Sequence, residues 1–440
     1  MGFSDKRIAV VGGGLGGMAF MNSAIYSGLN NVQLYEAAPQ FTEVGAGVNI
    51  TRNANRVLDA FGIGPDMLWK SSRDPPCYME YRHYRTGEDL GHIAEFGEPK
   101  SRQIHRAHLL DALKKNVPDE KISLGKRLTS VEWSDESSCY VLSFADGSKA
   151  EADIVIGCDG IKSVVRQTLG FKDQPIYSGQ MVYRGYVSYD DLTPETAALL
   201  RKTVNFRGLR KHVLTLPIGN DESKTARVGI IGFMTEPLEN WTSESWLSTA
   251  PVDDLYEHVK DWTGAVQEII TGLRKGSSDG KILKQALYVR EPSEKWFGVQ
   301  RGSNSGMILM GDSVHSTLPH QGQGACQAME SGFALAQTLK NWKSDDLESA
   351  FQFFQDFRKP RTDRITQSSY ETGKMASADI PEELWATSFS PEVVRERMRW
   401  VMEYDLLKEL SNRLAGPENA GTTSESTDGS GAPPPVKVVC

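Results

Sequence analysis

Three glycines and one acid supply the first recognisable chemistry. Gly12, Gly14 and Gly17 stand in the spacing G-x-G-x-x-G, with Leu15 between the second and third, and Glu36 follows them. In such a run the first glycine makes a tight turn. The second lets a pyrophosphate approach the backbone, and the third lets a helix pack closely on its strand; an acid roughly 20 residues on accepts from a ribose hydroxyl. That chemistry holds a dinucleotide. The plain alternative is a strand, turn and helix with small residues at a crowded turn. Arg106 opens a segment of helical periodicity, His105–Leu113. A cation there opposes the helix dipole, so it is weighed as a ligand-binding group against an ordinary surface arginine. The two histidines beside it, His105 and His108, are read as structural. Cysteines 77, 139, 158, 326 and 440 are odd in number and none pairs at metal-ligand spacing, so we expect reduced thiols and no metal.

Elements able to position these groups flank them. Lys6–Val11 is an apolar, β-branched run fit for one buried strand, Met18–Ile25 for a helix, and Val32–Tyr35 for a second strand ending on Glu36. The helix start offers unpaired N–H groups to phosphates. Gly45 and Gly47 permit close backbone approach, and Thr51 is placed to cap a helix over Asn53–Phe61 that Gly62 ends. Tyr78–Tyr84 and Leu90–Ile93 predict a hairpin whose tyrosines and arginines form sheet surface. Ser130–Trp133, Tyr140–Phe144 and Asp153–Ile156 predict strands, the last turning through Cys158-Asp159-Gly160 into a helix over Ser163–Leu169, with Cys158 packing as a small apolar group. Met181–Val187, His212–Leu216 and Ala226–Met234 read as a separate sheet, followed by one helix over Leu255–Leu273 that Gly264 weakens. Ser305–Met310 returns to a buried strand and turns through Gly311-Asp312. Helices are expected over Ala325–Leu339 and Leu347–Arg364, the second interrupted at Pro360.

The 440 residues allow two or three domains. We expect residues 1–173 and 301–414 to form one domain with C-terminal helices, the first part carrying a small hairpin near 78–93. Residues 174–300 form an inserted β-rich domain and 415–440 a disordered tail. Lys plus Arg number 49 against 57 acids, a formal charge of −8 with no basic run, which argues against nucleic acid and anionic membranes. No stretch reaches the roughly 18 apolar residues of a membrane span. With no apolar leader before Val10 the expected location is cytoplasmic, so the Asn240-Trp241-Thr242 sequon carries no weight.

The Gly12–Gly17 loop, the Cys158-Asp159-Gly160 turn and the Gly311-Asp312 turn, in this order, resemble the three flavin signatures of single-component aromatic hydroxylases. The resemblance runs from about Arg7 to Gly373. Within the para-hydroxybenzoate hydroxylase-like family it is nearest to the salicylate hydroxylases, through Val182-Tyr183-Arg184-Gly185, Leu318-Pro319-His320-Gln321-Gly322 and Gln367–Gly373. It implies an α/β fold: a Rossmann-like FAD-binding domain with an inserted β-rich substrate domain and C-terminal helices. It implies FAD as cofactor and NADH or NADPH as a transient, surface-docked reductant. The partners are a small aromatic substrate and O2, in a monomer or homodimer. Glu36 would hold the adenosine ribose, Arg106 the FAD phosphates or ribose, and Asp312 the ribityl or pyrophosphate region. Asn49 and Ala325 would present backbone to the flavin, and Asp159 would support the reductant path and the domain's turn. Two departures stand at the mouth of the site: Arg52 where proline is usual and His108 where aspartate is. Leu216 stands where a related fungal branch has a tyrosine to pair with the arginine at 184, which favours a carboxylate substrate.

The expected chemistry is transfer of one oxygen from O2 to an electron-rich ring carbon, with loss of CO2 where the attacked carbon carries the carboxylate. The protein supplies placement and field. N–H groups from Gly322, Gly324 and Ala325 at a helix start suit the negative charge of reduced flavin. His320 is the candidate base for the phenol, against a histidine that only packs its loop. Arg184 is the candidate for the carboxylate or the flavin edge, against a strand arginine paired with a surface acid. His315 is read as structural. The alternatives are a hydroxylase or epoxidase of a larger secondary metabolite and a flavin-free escort protein for prenylated GTPases.

Overall fold

The structure, a computed structural model, describes residues 3–41, 47–64, 77–219, 226–240, 248–378, 380–385 and 390–416. Gly45, residues 241–242 of the sequon and the tail from residue 417 lie outside them. The apolar run at the start forms strand Ile8–Val11 of a six-stranded sheet. Its order is Phe297–Val299, Gly306–Leu309, Ile154–Gly157, Ile8–Val11, Val32–Tyr35 and Ile122–Ser123. All pairs are parallel except the one at the Phe297–Val299 edge. The three central strands are buried at every residue, as continuous apolar runs covered on both faces must be. Because those three are parallel neighbours, the turns after Val11, Gly157 and Leu309 leave the same edge of the sheet side by side. That edge is where open α/β sheets hold ligands.

Helix Leu15–Ser27 packs on this sheet and against helix Gly324–Asn341. A Cβ on Gly332 would stand 2.6 Å from the Gly16 carbonyl oxygen and 2.7 Å from the Phe20 nitrogen, so bare glycines let the two backbones touch. The first helix therefore starts at Leu15, three residues before its apolar periodicity becomes legible, and ends at Gly28 in the left-handed region (φ 78°).

Six strands from residues 174–300 and the hairpin Met79–Ile93 build an eight-stranded sheet in the order Thr249–Pro251, Lys281–Val289, Ile176–Ser188, Arg227–Thr235, Lys211–Ile218, Val204–Gly208, Met79–His83 and Asp89–Ile93. Its strands alternate, as a two-faced sheet requires. Met181, Tyr183, Val187, Phe206, Val213 and Ile230 pack under helices Val252–Val259 and Gly264–Gly276. Val182, Leu216, Ile218, Ile231 and Phe233 face the other way and cluster with Leu318 and Tyr370. The Ile218 side chain occupies the space that a Cβ on Gly47 would need, so this second face lies directly against strand Gly47–Ile50.

Several local expectations are corrected. Leu255–Leu273 is two helices, broken at 260–263, because Gly264 begins the second rather than thinning the middle of one. Leu347–Ser377 runs through Pro360 as one helix well past Arg364. Lys149–Ala152 is a strand that the turn at Asp146-Gly147 conceals. Tyr78, Tyr81 and Tyr84 are buried, since the hairpin joins the large sheet through Met79–His83, which pairs in parallel with Val204–Gly208. The Thr51 hydroxyl makes no capping bond. It donates to Asn53 Oδ1 at 2.7 Å and accepts from Gln323 Nε2 at 2.9 Å.

Candidate functional site: a cofactor cleft beside an apolar wall

Gly12 adopts φ +107°, a conformation that side chains disfavour, and a Cβ there would run into the Cys158 carbonyl. A Cβ on Gly17 would overlap the Gly12 carbonyl oxygen and stand 3.0 Å from Cys158 Sγ, which seats the helix start on the turn. The Cys158 thiol is not merely apolar filling: it donates to the Val11 and Gly12 carbonyls, each at 3.1 Å. A Cβ on Gly14 would meet nothing nearer than Arg106 Nη2 at 4.0 Å, so this glycine faces open space. The helix beginning at Leu15 has no side-chain cap and no acid in its first turn, leaving its first N–H groups to that space.

Three charged groups surround it. Glu36 accepts from the Gly13 N–H at 2.6 Å and the Ala38 N–H at 2.8 Å, so its carboxylate stands at the glycine turn. Arg106 begins helix Arg106–Lys114, and its guanidinium hydrogen-bonds to no described residue. Desolvation lowers its pKa, opposed by the nearby charges of Asp312 and Glu36. The Asp312 carboxyl lies at an exposed position, yet the surrounding protein raises its pKa, with Arg106 opposing. A group both open and desolvated belongs to the wall of a deep cleft. Asp159 accepts from Val164 N at 2.7 Å and Val165 N at 3.3 Å through Oδ2, while Oδ1 is buried without a partner. Burial raises its pKa, with the hydrogen bonds opposing. Arg166 and Arg290, unnoticed in the sequence, share Asp173. They donate to the Ser313 and Ile161 carbonyls at 3.2 and 2.6 Å, tying the second and third turns together.

At the other end of the cleft, Pro319–Gln321 turns through Gly322 at φ +64° into helix Gly324–Asn341, also uncapped and free of first-turn acids. A Cβ on Gly322 would lie 3.9 Å from Asn49 Cβ, which brings these two predicted residues together, with Gly324 and half-buried Ala325 next in line. A buried polar network fixes the helix from behind. Glu330 accepts from Arg358 at 2.8 Å, Arg361 at 3.0 Å and Asn53 at 2.6 Å, and Asn53 also donates to Gln323 at 3.2 Å. His315 is structural as expected, accepting from the Gly311 N–H at 3.1 Å and pairing with Ser331 at 3.0 Å.

Arg184 and His320 lie along the apolar face of the large sheet. Arg184 shares it with Val182 and Tyr186 and opposes Ile231 across the ladder. Its Nε is buried with no hydrogen-bond partner, and no described carboxylate pairs with it; burial pushes its pKa down to about 10. Tyr186 stacks on His105, the residue that caps the Arg106 helix, with ring centroids 5.2 Å apart, so the wall bearing Arg184 adjoins the cleft bearing Arg106. Leu216 opposes Gly229, which pairs with Tyr186, so the phenol in that cross-strand row is Tyr186, two residues on from Arg184. Val182, Phe233, His212 and Arg207 form one cross-strand row. The His320 ring meets Phe233 with centroids 5.0 Å apart, and burial together with the Arg207 charge pushes its pKa down to about 4. Its Nε2 lies 2.7 Å from Gln180 Oε1. A Cβ on Gly373 would come within 2.5 Å of its Cδ2, so the ring rests on bare helix backbone. Of the departures, Arg52 donates to the Glu98 carbonyl at 2.8 Å, and His108 Nδ1 is buried without a partner.

The donor set fits FAD. Uncapped N–H groups and a desolvated guanidinium suit a pyrophosphate, and two carboxylates suit ribose and ribityl hydroxyls. No group of His, Cys, Asp and Glu among the described residues could hold a metal ion, and no described helix is long and apolar enough to cross a membrane.

Comparison with known proteins agrees with this geometry. Residues 5–369 match the family model described as an FAD binding domain. The chain is 31% identical over 427 residues to a salicylate hydroxylase of Pseudomonas putida, covering 93% of this chain and 95% of the relative. It is 30% identical over 389 residues to 6-hydroxynicotinate 3-monooxygenase of Pseudomonas fluorescens, covering 86% and 94%. A solved salicylate hydroxylase substrate complex superimposes with a TM-score of 0.75 at 27% identity, covering 93% of this chain and 98% of that one. These relatives are enzymes, which removes the escort-protein alternative.

Proposed function

This chain belongs to the FAD-binding-domain family and is an FAD-dependent aromatic monooxygenase, and on that premise we propose that its substrate is a single-ring phenolic acid of the salicylate type, converted to a catechol with loss of CO2. The observation that carries the reading is Arg184, a desolvated cation with no carboxylate partner among the described residues, on the sheet face that carries Val182, Ile231 and Leu216. Such a group has the strongest demand for an anionic ligand, and a carboxylate meets it with two parallel charge-assisted hydrogen bonds. The names of the salicylate hydroxylase relatives support the same class.

FAD, when bound, supplies electrons from NADH or NADPH and the activation of O2. Glu36, Arg106 and Asp312 would hold its ribose, pyrophosphate and ribityl portions, with Gly12, Gly14, Leu15 and Gly17 forming the cradle. Asn49, Gly322, Gly324 and Ala325 would border the flavin ring, and Asp159 would keep the middle turn in place. Arg184 orients the substrate by its carboxylate. Val182, Leu216, Ile231 and Phe233 flank its ring and keep out water. His320, neutral at pH 7, takes the phenol proton, because a phenolate ring is the better nucleophile. The free imidazole is a weak base with its pKa at about 4. A bound anion adds negative charge beside it and raises that affinity for protons, so the base strengthens when substrate arrives. One oxygen atom enters the ring, the other leaves as water, and the carboxylate leaves as CO2.

The test is NADH and NADPH oxidation by the FAD-loaded enzyme with a panel of hydroxybenzoates, with CO2 trapped and products identified by mass spectrometry. Salicylate-type acids should stimulate turnover and yield catechol and CO2 in equal amounts. Failure of every phenolic acid to stimulate would overturn the substrate class, and a product that keeps its carboxylate would overturn the decarboxylation.

A further inference from the structure

We infer that Gln180 is a positioning residue which, together with Ser377, holds His320 as its Nε2–H tautomer and so makes Nδ1 the nitrogen that faces the substrate hydroxyl. This rests on the reading of His320 as the base and adds which atom does the work. Three elements meet at the ring. His320 sits in the Pro319–Gln321 turn, Gln180 on strand Ile176–Ser188 of the large sheet, and Ser377 at the end of helix Leu347–Ser377.

The Ser377 hydroxyl has a single hydrogen and donates it to the Gly373 carbonyl at 2.8 Å. It can therefore only accept from Gln180, and the Gln180 amide nitrogen is the atom turned to it. That orientation aims Gln180 Oε1, an atom that cannot donate, at His320 Nε2, 2.7 Å away. The Nε2 must then carry the ring hydrogen, and Nδ1 keeps its lone pair. Nδ1 makes no hydrogen bond to a described residue, so the lone pair remains available. The contacts around the ring fix its plane as well. Phe233 lies on one side, and Gly373 has no Cβ to push it away. The facing titratable and charged neighbours are His212, whose ring centroid is 6.1 Å from that of His320, and Arg207. Neither accepts a proton from Nε2, so the tautomer depends on the glutamine.

The variants Gln180→Leu, Gln180→Glu and His320→Ala, all FAD-loaded, test the inference. Gln180→Leu should lower kcat about tenfold or more, the loss expected when an oriented base is released. KM for salicylate and flavin affinity should stay within about twofold. Gln180→Glu keeps the acceptor and adds a negative charge, so it should restore turnover and move the acid limb of the kcat/KM profile to higher pH. Nitrogen-15 spectra of the unmodified enzyme, with His320→Ala to assign the signal, should show a protonated Nε2 and a bare Nδ1. A kcat unchanged in Gln180→Leu while His320→Ala is inactive would overturn the inference and leave the base reading intact. A protonated Nδ1 in the unmodified enzyme would overturn it even where Gln180→Leu does not fold. Full turnover in His320→Ala would overturn both.

Discussion

Replacing Arg184 by methionine should make the enzyme sturdier and worse at its task. The guanidinium is held down from its ordinary 12.5 to about 10 because burial is not offset by a partner. At about 1.4 kcal/mol per pKa unit this is a cost of about 3 kcal/mol to the folded state, trimmed to about 1–2 by the partial exposure of the side chain. The sign follows from the direction: an arginine whose pKa falls on folding opposes folding wherever it is charged, and here that includes pH 7. Methionine removes the charge at similar volume, so the substrate-free protein should melt about 1–4 °C higher and need more urea to unfold. The same change removes two charge-assisted hydrogen bonds to the substrate, each worth about 1.5–3 kcal/mol, so KM for salicylate should rise about 100-fold or more. A phenol without a carboxylate should bind either form equally. Thermal melts, urea titration and steady-state kinetics on both ligands suffice. A lower melting temperature, or a salicylate KM within about twofold of the unmodified enzyme, would refute the view of Arg184 as an uncompensated cation reserved for an anion.

Gly17→Ala should keep its helical circular dichroism but release flavin on desalting. Clearing the Gly12 carbonyl shifts the helix start by about 1 Å, a misplacement that costs about 100-fold in a built site. Glu330→Gln should cost about 3–5 kcal/mol in urea unfolding, since it strands Arg358 and Arg361 in the interior with the acid between them lost. Acid should weaken the fold through its buried histidines. His315 and His320 are pushed down to about 3 and about 4, below the ordinary 6.5, so their stabilisation is complete above about pH 6.5 and is lost as pH falls toward those values. Between pH 6 and 5 these two histidines should lower the unfolding free energy by up to about 2.7 kcal/mol per pH unit, with His212, held well below its ordinary value by burial, adding to the slope, and a flat urea midpoint across that range would contradict the buried neutral histidines.

The cofactor half of the site was legible because each signature is local. Gly12, Gly14, Gly17 and Glu36 are read within one strand–helix–strand unit, and Asp159 and Asp312 end apolar runs that could only be buried strands. What joined them was not local. Adjacency of the three turns depends on strand order, and the Arg166–Asp173–Arg290 clamp spans residues whose pairing no periodicity reveals. The substrate half was harder for a different reason. Arg184 and His320 were picked out by type and by resemblance, but Gln180 is an unremarkable polar residue until the sheet brings it under the imidazole. Gly373 lay in a stretch already singled out, and a glycine inside a helix was the available clue to a ring packed against it. The helix break at 260–263 was missed because apolar periodicity carries across it, while Trp262 and Val266 are both buried in the same cluster.

The strand order of the parallel sheet also fixes when the cofactor can arrive. Gly306–Leu309 closes the cradle against Ile154–Gly157, yet the ribosome emits it only after the whole eight-stranded insertion has been made. A nascent chain displaying the first glycine turn thus has half a nucleotide pocket and no means to finish it. The complete cradle is consequently open to flavin only once Gly306–Leu309 and the Gly311-Asp312 turn have emerged, late in synthesis.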